Sequence, residues 1–304
     1  MATNIEKLNQ KSHWQALKLY LRSLRKGYWP LIKSLQTGLL LATGLAGFTS
    51  ARCPVTSFPA LLGLTGSLFL AISGSTVLNM YFDRDLDAKM ARTRSRPLPS
   101  GRVRPDRGLR FGLALSLLGL VWAVLLSPLY ALVVFAGLTF DVGVYTIWLK
   151  RRTAWSIVWG GISGGMPILA GRALAIGVID WVGLLLALAV LCWIPTHIMT
   201  FHMRYFDDYQ RAGVPTFPSS HGFKTTRLVI AISSVLAALA IGGAAAGIGM
   251  TWGYLRVLAV LSVGLFGLAI KALAQPSEKL HFGLFKYASL YMLSAMLLFV
   301  VEAM

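Results

Sequence analysis

Apolar segments, each close to the length of a helix that crosses a bilayer, follow one another along most of this 304-residue sequence. A helix needs about 20 apolar residues to cross the hydrocarbon core of a membrane. Backbone polar groups cannot be left unpaired in lipid, so such segments fold as helices. Nine segments have this character: 31–50, 55–81, 108–126, 129–148, 156–178, 181–205, 228–248, 255–274 and 285–301.

The composition agrees with a chain that lies largely inside a membrane. Hydrophobic residues make up 56% of the sequence and charged residues 13%, and the mean hydropathy is +0.66. We therefore predict an all-α integral membrane protein with about nine transmembrane helices in one bundle around a central cavity. The bundle takes residues 30–304. Residues 1–29 form a basic segment whose apolar residues have helical spacing, which suits a helix lying on an anionic leaflet.

The basic residues are distributed unevenly among the connections. The formal net charge of +18 would also suit a protein that binds nucleic acid. However, all but three of the 29 Lys and Arg residues fall in the N-terminal segment or in connections on the same side of the membrane; the exceptions are Arg52, Arg172 and Arg256. This asymmetry is typical of membrane proteins, whose cytoplasmic loops are basic. We therefore expect the N-terminus and the charged loops in the cytoplasm, and no nucleic acid as a partner.

Acidic residues, of which the chain has only 11, are concentrated where the second apolar segment ends. On a helix, four-residue spacing places Asn79, Asp83 and Asp87 along one face and directs Asp85 elsewhere. Clustered carboxylates repel one another unless a cation lies between them. Mg²⁺ favours carboxylates, water and phosphate oxygens as ligands, so we predict a Mg²⁺ site here. The arginines that follow suit a diphosphate: Arg92 and Arg96.

A second acidic motif, Asp207-Asp208, follows the sixth apolar segment. We predict that it faces the first motif across the central cavity and supplies further carboxylates to the metal. His197, Arg204 and Asp208 have the spacing of one helical face and form a second candidate cluster. The two acidic motifs lie four segments apart, which suggests an internal duplication of four-helix units.

Two features lie inside the apolar segments. Asp141 is an ionisable residue in the fourth segment, so it must face the bundle interior or a polar cavity and is a further site candidate. The fifth segment contains glycines at four-residue spacing, which favours close packing of helix backbones over contact with a ligand. These glycines are Gly160, Gly161, Gly164 and Gly165.

The motifs resemble those of the UbiA superfamily of membrane prenyltransferases. Asn79-x-x-x-Asp83-x-x-x-Asp87 is similar to the first aspartate-rich motif of that superfamily. Three stretches resemble its protoheme IX farnesyltransferase (heme O synthase) branch more closely, in order and at the right spacing. They are residues 83–101, residues 145–161, which include Tyr145, Lys150 and Arg151, and residues 207–215.

The resemblance implies transfer of a prenyl group, farnesyl in that branch, from its diphosphate to an acceptor in the bilayer, which in the branch is protoheme IX. Mg²⁺ would be the cofactor, held by Asn79, Asp83, Asp87, Asp207 and Asp208. Catalytic roles would fall to Asp83, Asp87, Asp207 and Lys150. Substrate-binding roles would fall to Asn79, Arg92, Arg96, Tyr145, Lys150, Arg151, His197 and Arg204. We add the hypothesis that His197 or His202 contacts the porphyrin.

Two alternatives stay open. The chain departs from the branch at Ser156, at Arg172 and around His197, on the side where the acceptor would bind, so the acceptor could instead be a quinone, a chlorophyll or a lipid. A secondary transporter of an anionic metabolite is the alternative from another class. Transporters hold their ionisable groups near the membrane midplane, whereas the acids here lie at helix ends, which favours the enzyme.

Overall fold

The computed structural model describes residues 26–52 and 58–302, and every regular element in these ranges is a helix. The predicted segment 1–29 therefore lies mostly outside the described residues. After a short 3₁₀ turn at Trp29–Ile32, the helices are α1 (Ser34–Thr49), α2 (Phe58–Phe82), α3 (Arg84–Lys89), α4 (Pro105–Leu126), α5 (Pro128–Leu138), α6 (Ser156–Ile176), α7 (Trp181–Arg204), α8 (Phe206–Ala212), α9 (Phe217–Gly247), α10 (Trp252–Ala274) and α11 (Glu278–Glu302). Helix α5 continues as a π-helix over Thr139–Leu149.

The long helices coincide with the predicted apolar segments, and the protein is a multi-pass integral membrane protein. Within the described ranges, seven helices are long and apolar enough to cross a membrane, and the bent pair Lys26–Ile32 and Ser34–Thr49 makes an eighth. The predicted number of about nine is therefore approximate; α6, which is not among these spans, packs between α1 and α7. Large apolar side chains such as Leu125, 79% exposed, and Val260, 71% exposed, cover the outside of the bundle, as lipid contact requires.

Each half of the chain contains a long helix, then a short acid-bearing helix, then a second long helix that packs against the first. Helix α2 is followed by the short α3 and packs most extensively against α4, and helix α7 is followed by the short α8 and packs most extensively against α9. This packing agrees with the predicted duplication of four-helix units. It also gives the two acid-bearing helices, α3 and α8, equivalent positions in the two halves.

A change in backbone conformation precedes α8, and local sequence signals follow it. Tyr205 has non-helical backbone angles and ends α7. Gly213 has φ +70°, a left-handed conformation that suits glycine at a helix end. Helix α9 then begins with a capping box, in which Thr216 and Ser219 bond each other's backbone N–H groups. The second acidic motif consequently lies on a separate short helix between Tyr205 and Gly213.

Arg172, which departs from the branch pattern, has a structural role at the end of the bundle opposite the acidic motifs. Its guanidinium is buried and donates two hydrogen bonds of 2.7 Å to Asp180 and one of 2.9 Å to Ser50 Oγ. These bonds lower the pKa of the Asp180 carboxyl and join α6 to the ends of α1 and α7. The side chain at this position therefore holds helix ends together.

The glycines of α6 lie where other helices approach most closely, which confirms the predicted packing seam. A Cβ added at Gly165 would lie 2.8 Å from the carbonyl oxygen of Ala187 on α7. A Cβ at Gly161 would lie 2.5 Å from the side chain of Leu191, also on α7. On the other face of α6, a Cβ at Gly171 would collide with the backbone oxygen of Gly44 on α1. At Gly165 and Gly171 the neighbouring atom is backbone, so only glycine permits these spacings.

Gly165→Ala should therefore destabilise the bundle, because the new methyl group meets a backbone carbonyl that cannot move independently. Overpacking of this kind costs about 1–3 kcal/mol. Thermal unfolding of purified protein in detergent measures the loss. Gly267→Ala on α10 is the matched control, since a Cβ there meets nothing within 4 Å. Equal melting temperatures for the two variants would contradict the seam.

Candidate active site

The two acid-bearing helices pack against each other at one end of the bundle. Helix α3 contacts α8 directly, so the predicted meeting of the two motifs is observed for the helices that carry them. Both follow spans that run in the same direction through the bundle. The contact is a small apolar cluster consisting of Leu86, Met90, Tyr209, Ala212 and Val214.

Asp83 lies at the junction between α2 and α3 and is buried. Lys150 Nζ donates a 2.5 Å hydrogen bond to its Oδ2. The other oxygen, Oδ1, is buried and has no hydrogen-bond partner in the described part of the chain. Lys150 also lies 5.4 Å from the centroid of the Tyr145 ring. The structure thus brings Asp83, Lys150 and Tyr145 together, with one carboxylate oxygen still available.

Asp87 and Asp85, two residues apart, have different arginine partners. Arg96 Nη1 donates to both oxygens of the buried Asp87, at 2.9 and 2.8 Å. Asp85 is exposed and is bonded by Arg151 at 2.7 and 2.6 Å, which lowers the pKa of the Asp85 carboxyl to about 2. Arg151, which we expected to bind phosphate, is therefore turned to the outer side of α3.

Asn79 is held by the π-helical segment. Its Nδ2 donates a 2.7 Å hydrogen bond to Asp141 Oδ2, and its Oδ1 accepts a 2.8 Å bond from Thr146 Oγ1. Ser75 donates to the same oxygen of Asp141, at 2.5 Å. Asp141, a candidate because of its position in an apolar segment, thus lies beside the first acidic motif. The sequence did not predict Thr146 and Ser75 as site residues, since short polar residues in an apolar helix give no distinctive signal.

The second motif is arranged differently from the first. Asp208 is buried and paired with Arg211, whereas Asp207 is exposed. Because the chain leaves the helix at Tyr205, the predicted common face of His197, Arg204 and Asp208 does not extend to Asp208. The interpretation was wrong there because it assumed one continuous helix. Arg204 instead places its guanidinium 4.3 Å from the centroid of the Phe282 ring.

Aromatic rings line the contact between α7 and α11. We name this surface the aromatic wall, and it consists of Trp193, His197, Phe201, Tyr205, Phe282 and Phe285. The His197 ring lies 5.0 Å from those of Trp193 and Phe285, and its Nδ1 is buried without a partner in the described residues. Arg92 lies 5.4 Å from the Tyr205 ring, so the wall reaches the loop that follows the first acidic motif.

His202 faces a different neighbour. Its ring lies 4.7 Å from that of Tyr209 on α8, at the contact between the two acidic motifs. Its Nδ1 is also buried without a partner in the described residues. His197 and His202 therefore lie on different sides of α7, and only His197 belongs to the aromatic wall.

The site pairs each buried carboxylate with a basic side chain. In the described ranges no group of three or more His, Cys, Asp or Glu residues is arranged to hold a metal ion. Asp83, Asp87 and Asp208 are bonded instead by Lys150, Arg96 and Arg211. The uncommitted oxygen of Asp83 and the second lone pair of the Asn79 carbonyl oxygen are the donors that suit a hard cation.

The family model of the "UbiA prenyltransferase family" matches residues 40–292 of this chain. The chain belongs to this family. It is a membrane prenyltransferase, and the resemblance predicted from the motifs between residues 79 and 218 is confirmed by this match. Among the relatives is a protein of Korarchaeum cryptofilum named protoheme IX farnesyltransferase, 44% identical over 68% of this chain and 69% of the relative. Others, 34% to 41% identical, have the same name.

Solved structures share the UbiA prenyltransferase fold. A digeranylgeranylglyceryl phosphate synthase superposes with a TM-score of 0.77 at 20% identity, over 93% of this chain and 99% of that one. A UbiA homologue from Archaeoglobus fulgidus, bound to DMAPP and Mg²⁺, superposes with a TM-score of 0.65 at 13% identity, over 90% and 99%. At these identities the likeness establishes the fold.

Removing the carboxylate that orients Asn79 should slow prenyl transfer. Asp141→Ala leaves the Asn79 amide without its acceptor, and we expect the rate to fall about 10-fold or more, as when catalytic geometry is loosened. Asp141→Asn keeps a carbonyl acceptor of the same shape and should retain most of the rate. Steady-state release of pyrophosphate from both variants checks this. A wild-type rate for Asp141→Ala would show that the hydrogen bond from Asn79 to Asp141 is not needed for catalysis.

Proposed function

We propose that this protein transfers the farnesyl group of farnesyl diphosphate to protoheme IX within the membrane, giving heme O. Two lines of evidence support the proposal. The relatives named protoheme IX farnesyltransferase are 34% to 44% identical to this chain. In addition, structures with the same fold hold DMAPP or GPP together with Mg²⁺. The acidic motifs of this chain supply the ligand types that such a complex requires.

The observation that carries the proposal is the unpaired oxygen of Asp83. A buried carboxylate oxygen without a hydrogen bond is costly, so a bound cation would relieve that cost. Asn79, Asp83 and Asp87 would hold Mg²⁺ from one motif, and Asp207 and Asp208 from the other. Bound there, Mg²⁺ would neutralise the charge that develops on the diphosphate.

The basic side chains that now pair with these carboxylates are suited to phosphate. Lys150 and Arg96 bond Asp83 and Asp87, respectively. We propose that in the complex these cations bind phosphate oxygens, together with Arg92, while the carboxylates turn to the metal. Arginine is well matched to phosphate because its donors form a planar fork. Arg151 would join them by leaving Asp85, a pair that is exposed and so costs little to separate.

The proposed reaction begins with cleavage of the allylic C–O bond, and both electrons leave with the diphosphate. Arg92, Arg96 and Lys150 would stabilise the departing charge. The allylic cation that forms needs surroundings that exclude water, and an apolar helix bundle provides them. A vinyl group of protoheme attacks the cation, and water then adds to the resulting porphyrin cation and releases a proton. The product carries a hydroxyethylfarnesyl group.

The aromatic wall is the surface that best suits a flat macrocyclic acceptor. Aromatic rings favour stacked or edge-on contact with other π systems. His197 lies among these rings, and its Nδ1 has no partner among the described residues, so we propose that it contacts the porphyrin, with Arg204 beside it. His202, which faces Tyr209, is better placed to act near the diphosphate.

The orientation in the membrane is part of the proposal. The connections at the end of the bundle that carries α3 and α8 contain most of the basic residues, as cytoplasmic loops do. We propose that the active-site end faces the cytoplasm and that residues 30–304 form one prenyltransferase domain. Membrane lipids would surround the exposed apolar side chains.

Asp83→Ala should lower the rate of prenyl transfer by about 10²-fold or more, because it removes a metal ligand that acts on the developing charge. Release of pyrophosphate from farnesyl diphosphate, measured against Mg²⁺ concentration, is the readout. Asp106→Ala is the control, since among the described residues Asp106 forms only solvent-exposed ion pairs, with Arg104 and Arg110. If both variants have the wild-type rate, the metal site is misassigned.

The acceptor is tested by competition. Purified protein is incubated with labelled farnesyl diphosphate and an equimolar mixture of protoheme and a quinone precursor, and the products are separated by mass spectrometry. We expect the label in farnesylated heme, and we expect heme affinity to fall in His197→Ala. Label in the quinone alone would overturn the assignment of the acceptor while leaving the prenyltransferase intact.

A further inference from the structure

A buried histidine lies near the active-site end of α11. His281 is 5% exposed, and neither Nδ1 nor Nε2 has a partner in the described part of the chain. An imidazole always carries at least one N–H donor, and burial without a partner costs free energy. Such orphaned groups are rare in folded proteins, so a ligand or ordered water is expected beside this one.

A second unpaired donor comes from the neighbouring helix. Arg227 lies on α9, which contacts α11, and its charge acts on the His281 ring. Its Nε is also buried without a partner, and no carboxylate within residues 26–52 and 58–302 forms an ion pair with it. The side chain as a whole is half-buried, but a buried guanidinium N–H normally has a hydrogen-bond acceptor. Arg227 and His281 therefore each have a hydrogen-bond donor for which the described residues supply no acceptor.

The pair adjoins the aromatic wall. Phe285 follows His281 by one helical turn, so the two side chains share a face of α11. Phe285 in turn contacts the rings of His197 and Phe201. An occupant that stacked on the wall would bring one edge towards Arg227 and His281.

We propose that Arg227 and His281 bind a carboxylate group of the acceptor. The inference rests on the proposed function. Protoheme carries two carboxylates on one edge, and its vinyl groups lie away from that edge. Anchoring the carboxylates between α9 and α11 would turn a vinyl group towards the acidic motifs on α3 and α8. The pair would thus select acceptors that carry an acidic edge and set which part of the ring reacts.

Binding of protoheme and of its dimethyl ester, followed by heme absorbance without prenyl diphosphate, tests the proposal. We expect the wild-type protein to bind the free acid about 10-fold more tightly than the ester, as a charged hydrogen bond predicts. Arg227→Gln and His281→Phe should each reduce this preference to near unity while retaining affinity for the ester. The ratio of two affinities in one variant is insensitive to partial loss of folded protein.

The control variants are Arg256→Gln, at the other end of the bundle, and His221→Phe, an exposed residue that stacks on Phe217; both should keep the wild-type preference. Equal binding of acid and ester by the wild-type protein would overturn the carboxylate subsite. The subsite would also be overturned if Arg227→Gln and His281→Phe kept the wild-type preference for the free acid over the ester. If the variants lose activity only when anionic lipid is present in nanodiscs, the pair binds a lipid phosphate instead and the proposal fails.

These outcomes are separate from a failure of the proposed function. If the wild-type protein transfers farnesyl to a quinone precursor and binds neither form of heme, the acceptor itself is misassigned. If it farnesylates protoheme and its dimethyl ester with equal efficiency, the proposed function stands and only the carboxylate subsite is refuted.

Discussion

The need to neutralise buried carboxylates at one end of an apolar bundle governs the arrangement of this protein's active-site end. Asp83 and Asp87 are almost completely buried, and an isolated ionised carboxylate in such a position is strongly unfavourable. Lys150 and Arg96 supply the opposite charges from two separate loops. These ion pairs hold the loop after α3 and the loop after the π-helical segment against the first acidic motif.

The same pairs explain why the site suits a magnesium diphosphate. Such a ligand brings both a cation for the carboxylates and an anion for the lysine and arginine, so each charged group can exchange one partner for another of the same sign. Little net charge has to be desolvated when partners are exchanged in this way, in contrast to the cost of burying a new charge. The internal repeat contributes by presenting acids from two equivalent short helices, α3 and α8, in direct contact.

Much of the fold follows from hydropathy alone. The nine apolar segments predicted nine long helices, and the four-residue spacing of Asn79, Asp83 and Asp87 survives because backbone hydrogen bonds continue through the junction at Asp83. The break at Tyr205 was not predictable from spacing, because no proline or glycine marks it. The π-helical segment was also missed: its wider turn leaves no composition signal, yet it carries Asp141 and Thr146 to Asn79.

The sequence also could not predict which basic side chain pairs with which carboxylate. Arg96 pairs with Asp87 and Arg151 with Asp85, although both arginines were assigned to phosphate on equal terms. Such choices depend on which loops meet in three dimensions. His281 and Arg227 illustrate the same point, since they are far apart in sequence, and only the packing of α9 on α11 puts the helices that carry them in contact.

The most direct test of the central claim is an experimental structure of the protein with Mg²⁺ and a non-reactive thiolo analogue of farnesyl diphosphate. The account predicts metal bonded to Asp83 Oδ1, carboxylates from both acidic motifs around one diphosphate, and Arg96 and Lys150 turned from their carboxylates to phosphate oxygens. A diphosphate bound elsewhere, with the Lys150–Asp83 and Arg96–Asp87 pairs unchanged, would contradict it.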